Sequence, residues 1–256
     1  MLLVFFINQS NHYTIMSFLD TMEILMAEQM TYSLDNTLIE AGSGLTYRVR
    51  PAGSGQGNSP CLILLHGVGA NEAGFIELAR VMDPRLAVVL VRGPLVMGPM
   101  QFGFFQVRFT PDGPVPNVAQ AELARQKLLG FIGQLPQMHG IDAERIVIAG
   151  FSQGGIMSAS AGLTAPGTVA GFGILSGRIL PEVLPLVQPG AALHKLSAFV
   201  SHGVQDSKLG IHFAHNTKQV LEGYGVPLEY HEYEADHRLE QAMVDDFKLW
   251  LGIVLA

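Results

Sequence analysis

The chain has 256 residues, of which 48% are hydrophobic and only 14% charged, against about 25% charged in an average soluble domain. That balance excludes an intrinsically disordered chain, which needs low hydrophobicity and high net charge. A formal net charge of −7 excludes a nucleic-acid partner held through a basic footprint. The shortage of charge leaves a membrane protein as a class to be tested.

Residues 1–30 read as an N-terminal extension, either disordered or the product of an upstream start, since Met16, Met22, Met26 and Met30 are later candidate starts. No Lys or Arg precedes Arg48, so the positive n-region of a secretory signal is missing. Residues 31–256 are expected to form one domain. Leu45–Arg50 reads as an early strand, and Pro51–Pro60 as a Gly/Ser/Pro-rich connection. Beyond it, strands and helices alternate. Strands are expected at Leu62–Leu65, Ala87–Val91, Ile146–Ala149, Val169–Leu175, Leu196–Ser201 and Leu228–Tyr233. Helices are expected at Glu72–Met82, Val118–Leu135, Ile156–Leu163, Ile211–Tyr224 and Arg238–Leu251. Short continuous apolar strands are the signature of a mostly parallel sheet covered on both faces. Their alternation with helices predicts an α/β doubly wound fold.

The run Ile146–Gly177 contains no Asp, Glu, Lys, Arg or His over 32 residues, long enough to suggest a membrane span. Its glycines, Pro166 and scattered Ser, Thr and Gln interrupt every 20-residue apolar window. It parses instead as strand, tight turn, small-residue helix, loop and strand. The lone Cys61 opens a buried strand; it cannot form an intramolecular disulfide, which suits a reducing compartment.

In open α/β sheets, sites form beyond the carboxyl ends of the strands, and four such ends carry unusual residues. Gly150-Phe-Ser152-Gln-Gly154 is a G-x-S-x-G turn in its strand–turn–helix setting. It marks Ser152 as a candidate nucleophile at a helix N-terminus, where free N–H groups favour developing negative charge. His66-Gly-Val-Gly-Ala70 ends an earlier strand; its glycine-rich backbone and the residue after Ser152 nominate the N–H groups of Val68 and Gln153 as oxyanion donors. His66 precedes the serine and reads as structural. His202-Gly-Val-Gln-Asp206 and Asp236-His237 end the last two strands. A weak serine nucleophile needs a neutral imidazole as base, and the imidazole needs a carboxylate to fix its tautomer. The order Ser152, Asp206, His237 suits this architecture. Asp236, one residue from His237, competes with Asp206 but is poorly placed to reach that ring's Nδ1. His212 and His215 lie three apart on a helix without acidic or Cys partners, so no metal site is expected. The stretch from Gly93 to Asn117 reads as a long loop whose Met97, Met100, Phe102, Phe104, Phe105 and Phe109 either line an acyl or aryl pocket or plug the core. Met97, Met100, Phe102 and Phe105 are the substrate-binding candidates.

From about Pro60 to Leu251 the chain resembles the phospholipase/carboxylesterase family of small α/β-hydrolases, which includes acyl-protein thioesterases. The likeness rests on Leu64-Leu-His-Gly67, Gly150-Phe-Ser-Gln-Gly-Gly155, Leu175-Ser-Gly177, His202-Gly-Val-Gln-Asp206 and Asp236-His237. It implies an α/β-hydrolase fold without a large cap domain and a Ser152–Asp206–His237 triad with Val68 and Gln153 as oxyanion donors. It further implies no cofactor and hydrolysis of carboxylic esters or thioesters. The loop Val68-Gly69-Ala70-Asn71 and the segment Ser207-Lys-Leu-Gly210 depart from the thioesterase-like members, and the Gly93–Asn117 stretch is more similar to bacterial serine esterases. The expected activity is therefore a carboxylesterase, with lysophospholipase or acyl-thioesterase as alternatives and a catalytically inactive binding module as a third. The expected partner is a small ester or thioester with an apolar acyl or aryl group. No nucleic acid and no stable membrane insertion are expected, a homodimer is compatible, and the expected location is cytoplasmic.

Overall fold

The computed structural model describes residues 4–7, 13–16, 34–53, 57–110 and 113–256. Of the expected 1–30 extension, Val4–Ile7 and Tyr13–Met16 pair as an antiparallel hairpin, and the rest lies outside the described residues. Eight strands form the main sheet: β1 (Leu38–Ile39), β2 (Thr46–Arg50), β3 (Ser59–Leu65), β4 (Ala87–Val91), β5 (Ile141–Phe151), β6 (Gly171–Leu175), β7 (Ser197–Gly203) and β8 (Leu228–Tyr233). Their order is β8-β7-β6-β5-β3-β4-β2-β1. Strands β3 to β8 run parallel, while β2 is antiparallel to both β4 and β1. The sheet is the mostly parallel one that the alternation of elements predicts.

Successive side chains of a strand face opposite sides, and both sides here are covered. Cys61, Ile63 and Leu65 of β3 pack toward α2 (Val118–His139), α3 (Gln153–Thr164) and α4 (His212–Gly223). Leu62 and Leu64 pack the other way, with Ala79 of α1 (Ile76–Val81) and Phe247 and Trp250 of α5 (Gln241–Val254). Double coverage explains why β3, β4 and β6 read as unbroken apolar runs. Burial also pushes the Cys61 thiol far above its ordinary value, which leaves it inert as a nucleophile. Among the described residues no helix is long and apolar enough to cross a membrane.

Three elements differ from the sequence reading. Gly93–Asn117 is two antiparallel hairpins, Leu95–Gly98 with Gln101–Gly103 and Val107–Thr110 with Gly113–Pro116. This segment thereby satisfies much of its own backbone, which apolar periodicity does not register. Helix α2 continues through Pro136 to His139 and closes at Gly140, φ 62°, the left-handed residue typical of helix ends. The expected helix at 72–82 is split into a 3₁₀ turn, Glu72–Phe75, and α1. Glu72 turns inward there: its side chain has no exposure and takes Arg48 Nε at 3.0 Å and Arg92 Nε at 2.6 Å. Arg48 stands on β2 and Arg92 just beyond β4, so this cluster ties the segment after the His66 loop to the sheet.

Burial raises the Glu72 pKa and the two guanidinium groups lower it; the outcome is a carboxyl below its ordinary value of 4.5. Removing it leaves two cations without their counter-ion. Glu72→Ala is expected to cost about 2–4 kcal/mol in urea denaturation at pH 7, less than a fully buried pair because Arg48 and Arg92 keep 13% and 20% exposure. A depressed carboxyl stabilises the fold above its unfolded pKa and loses that effect as pH falls through the folded value. The difference between wild type and variant is therefore expected to narrow below pH 4.5, and a pH-independent difference would contradict this account.

Candidate active site

Strand β5 ends at Phe151 and α3 starts at Gln153, leaving Ser152 alone at the junction with φ 54° and ψ −115°. A serine avoids this backbone region, at a cost of about 1–3 kcal/mol, and persists there only if its surroundings dictate it. Its N–H donates to the Leu175 carbonyl at 2.8 Å and its carbonyl accepts from Ile156 N–H at 3.1 Å. Glycine at 150 and 154 permits the close crossing. A Cβ on Gly154 would overlap the Leu65 carbonyl, and one on Gly150 would strike the Gly154 backbone.

The structure brings Ser152, His237 and Asp206 together. His237 Nε2 lies 2.9 Å from Ser152 Oγ, and His237 Nδ1 lies 2.7 Å from Asp206 Oδ2. An ionised carboxylate only accepts, so the proton resides on Nδ1 and Nε2 is free to accept from the serine hydroxyl. The other oxygen of Asp206 accepts the N–H groups of Lys208 at 2.9 Å and Leu209 at 2.7 Å. Burial works against the Asp206 carboxylate, but hydrogen bonds from His202, His237 and these two amides outweigh it and hold its pKa far below the ordinary range. His202 is fully buried; its Nε2 lies 2.6 Å from the Leu209 carbonyl and 3.3 Å from Asp206 Oδ2. It thus braces the acid from behind. Asp236 is exposed and does not reach the His237 ring; its Oδ1 takes the N–H groups of Ser207 at 2.8 Å and His237 at 2.7 Å. Glycine at 203 lets the turn after β7 approach the His237 segment, since a Cβ there would meet the Ala235 carbonyl.

His66 lies apart from the Ser152 cluster. Its Nδ1 sits 2.7 Å from the Gly67 carbonyl, and its Nε2 accepts Gly93 N–H at 2.9 Å. Burial lowers its pKa more than the Gly67 contact raises it, so a neutral ring bridges the ends of β3 and β4. The loop it anchors is fixed further on by Gly69 N–H donating to Phe102 O and Phe102 N–H to Ala70 O, both at 2.8 Å. Among the described residues neither the Val68 nor the Gln153 N–H donates a hydrogen bond, so both remain available beside Ser152. The Gln153 side chain is buried and clamps the loop, accepting from Phe104 N–H and donating to Phe105 O, each at 2.7 Å.

A cleft of about 270 Å³ opens over Ser152, lined by Val68, Phe105, Val107, Pro114, Pro116, Phe151, Ile156, Arg178, Lys208 and His237 among others. Of the four expected substrate contacts only Phe105 lines it. Met97 and Met100 are 37% and 60% exposed on the outer hairpin, and the Phe102 ring lies under the Arg92 guanidinium, 4.5 Å from its centroid. Apolar composition marks the segment and not the face that it turns to the cleft; there the second hairpin supplies Val107, Pro114 and Pro116. Phe104 is core, and of the Phe109 side chain nothing is described. Sequence pattern does not mark Arg178 as a cleft residue, although it is the first charged residue after the 32-residue uncharged run. A larger hollow of about 790 Å³ lies between α1 and α5 near the start of β4, and none of the Ser152 cluster lines it. His215 pairs with Glu232 at 2.8 Å and the His212 ring packs on Phe213.

The family model described as Phospholipase/Carboxylesterase matches residues 52–255. An acyl-protein thioesterase 1 from Mycosarcoma maydis is 29% identical over 211 residues, covering 70% of this chain and 84% of its own. One from Gibberella zeae is 33% identical over 189 residues, covering 67% and 80%. The crystal structure of a carboxylesterase from Mesorhizobium loti superposes with a TM-score of 0.71 at 22% identity, over 85% of this chain and 99% of that one. A match over most of the chain, on an α/β-hydrolase sheet without a large cap, makes this protein a member of the phospholipase/carboxylesterase family of hydrolases.

Proposed function

We propose that the protein is a serine carboxylesterase acting on small esters with short acyl groups. The observation that carries this reading is the hydrogen-bonded chain from Ser152 through His237 to Asp206, 2.9 and 2.7 Å long, at the floor of an apolar cleft. Ser152 Oγ attacks the ester carbonyl while His237 Nε2 takes its proton. The Val68 and Gln153 N–H groups donate hydrogen bonds to the developing oxyanion, each contributing about 10²–10³ in rate. His237 then gives the proton to the leaving alcohol, and a water activated by the same imidazole clears the acyl-enzyme. Asp206, kept ionised by its four donors, orients the ring and stabilises the imidazolium.

The cleft volume supports a short acyl group, since pockets for drug-sized ligands run about 300–1,000 Å³ and this one is about 270 Å³. The names of the fungal relatives support a second reading, an acyl-thioesterase using the same residues.

A chain-length series of 4-nitrophenyl esters and matched thioesters on wild type and variants tests the proposal. Ser152→Ala is expected to lose at least about 10⁴ in kcat, and Asp206→Asn about 10⁴ because the imidazole loses its tautomer partner. Asp236→Asn is expected to stay within about tenfold of wild type, as its contacts are to backbone N–H groups. Undiminished turnover in Ser152→Ala, or a larger loss in Asp236→Asn than in Asp206→Asn, would sink the assignment. Gln153→Leu keeps the donor N–H but strands the buried Phe104 N–H and Phe105 carbonyl. It is expected to cost about 1–3 kcal/mol in thermal unfolding and to raise KM, because Phe105 walls the cleft; unchanged stability and KM would show that the clamp is dispensable.

A further inference from the structure

The charges around the cleft do not follow those of the chain. The protein carries a net charge of −7, yet the cleft wall includes Arg178 and Lys208 and no Asp or Glu. Lys208 is exposed, whereas Arg178 is partly buried, and its Nε is buried without a hydrogen-bond partner. Among the described residues the guanidinium makes one hydrogen bond, from Nη2 to the Pro114 carbonyl at 3.0 Å. It lies over the Phe213 ring, 4.5 Å from the centroid, a contact that fixes its plane. Among the described residues no carboxylate stands within 4.0 Å of it.

Other half-buried arginines in the chain are better served. Arg48 and Arg92 share Glu72, and Arg125 pairs with Glu122 at 2.6 Å. Arg50 gives its two terminal nitrogens to the carbonyls of Ala79, Met82, Asp83 and Leu86. Arg50 Nε is likewise unpartnered, but of these arginines only Arg178 lines the apolar cleft, beside Phe105, Val107, Pro114, Pro116 and Ile156. Burial pushes its pKa down, with Glu182 opposing from a distance. A fixed guanidinium fork with free donors and dry walls is a receptor for a planar or tetrahedral oxyanion.

We infer that the substrate carries an anionic group, a carboxylate or a phosphate, that Arg178 grips inside the same cleft as Ser152. The inference rests on the esterase reading of Ser152 and adds the substrate's charge to it. A cleft of about 270 Å³ puts the anion within a few bonds of the scissile carbonyl. The shape favours compact molecules: the half-esters of short dicarboxylic acids, or short acyl esters of a phosphorylated alcohol. Lys208, exposed at the rim, contributes steering more than grip.

Two matched pairs separate these sources: 4-nitrophenyl hemiglutarate against 4-nitrophenyl valerate, and butanoyl glycerol 3-phosphate against butanoyl glycerol. The ratio of kcat/KM for the charged over the neutral member is measured in wild type, Arg178→Met, Arg178→Lys and Lys208→Met. One pair is expected to show a wild-type ratio above one that falls about 10–100-fold in Arg178→Met, the loss of one charge-assisted, bidentate contact. Arg178→Lys is expected to keep part of the preference and Lys208→Met most of it. The pair that responds identifies the anion. Ser152 labelling by a neutral fluorophosphonate reports an assembled nucleophile in each protein. Wild-type ratios below one in both pairs, or ratios unmoved in Arg178→Met with labelling intact, overturn the inference and leave the esterase reading standing. Failure of wild type to label would count against the esterase reading instead. If Arg178→Met does not fold, competition decides: glutarate or inorganic phosphate is expected to inhibit wild-type hydrolysis of 4-nitrophenyl valerate, and no inhibition by either overturns the inference.

Discussion

Where β5 crosses into α3, the Leu65 carbonyl and the backbone of residues 150–154 come too close for any side chain at 150 or 154, and this contact fixes Ser152 at φ 54°. The rest of the site is built around that point. Because β5 lies between β3 and β6, the strained residue stands between the loop after β3, which carries Val68, and the turn after β6, which carries Arg178. Its N–H is held by the last residue of β6, so the strain is locked by the sheet rather than by the turn alone. Backbone geometry thereby presents the Ser152 side chain to the cleft, which is what the proposed nucleophile requires.

The outer strands bring Asp206 and His237 to Ser152 through a second close approach, at Gly203 and Ala235. Asp206 has no exposed side-chain surface yet stays ionised, because four donors surround its two oxygens. A buried carboxylate so satisfied is a fixed electrostatic anchor, and His202 behind it is as much a part of that anchor as His237 in front. On the opposite wall, the Gln153 carboxamide joins the nucleophile helix to the hairpins. One residue thereby shapes the pocket through its side chain and carries the N–H proposed as an oxyanion donor.

Much of this was readable in the sequence. Strands buried on both faces give themselves away as apolar runs, so Leu62–Leu65 and Ala87–Val91 lie within or coincide with the observed strands β3 and β4. Ser152, Asp206 and His237 were legible because each follows a strand in a turn rich in glycine or polar residues. The hairpins between Gly93 and Asn117 were not, as their Pro, Gly and mixed residues look like a loop until the strands pair. Met97, Met100 and Phe102 stand outside the cleft lining for a related reason: hydrophobicity marks a segment, while the face it presents depends on hairpin twist. The Gln153 clamp reaches residues 49 and 48 positions away, and Arg178 has meaning only beside Phe213 and Pro114. Contacts of that separation leave no local pattern.

The central claim is that the strained serine forms a covalent intermediate. The direct test is acid-quenched, millisecond mass spectrometry of the intact protein mixed with 4-nitrophenyl butyrate, followed by peptide mapping. The account predicts a transient gain of one butanoyl group, localised to Ser152 and absent from Ser152→Ala. Hydrolysis of the ester with no adduct, or with an adduct on another residue, would contradict it.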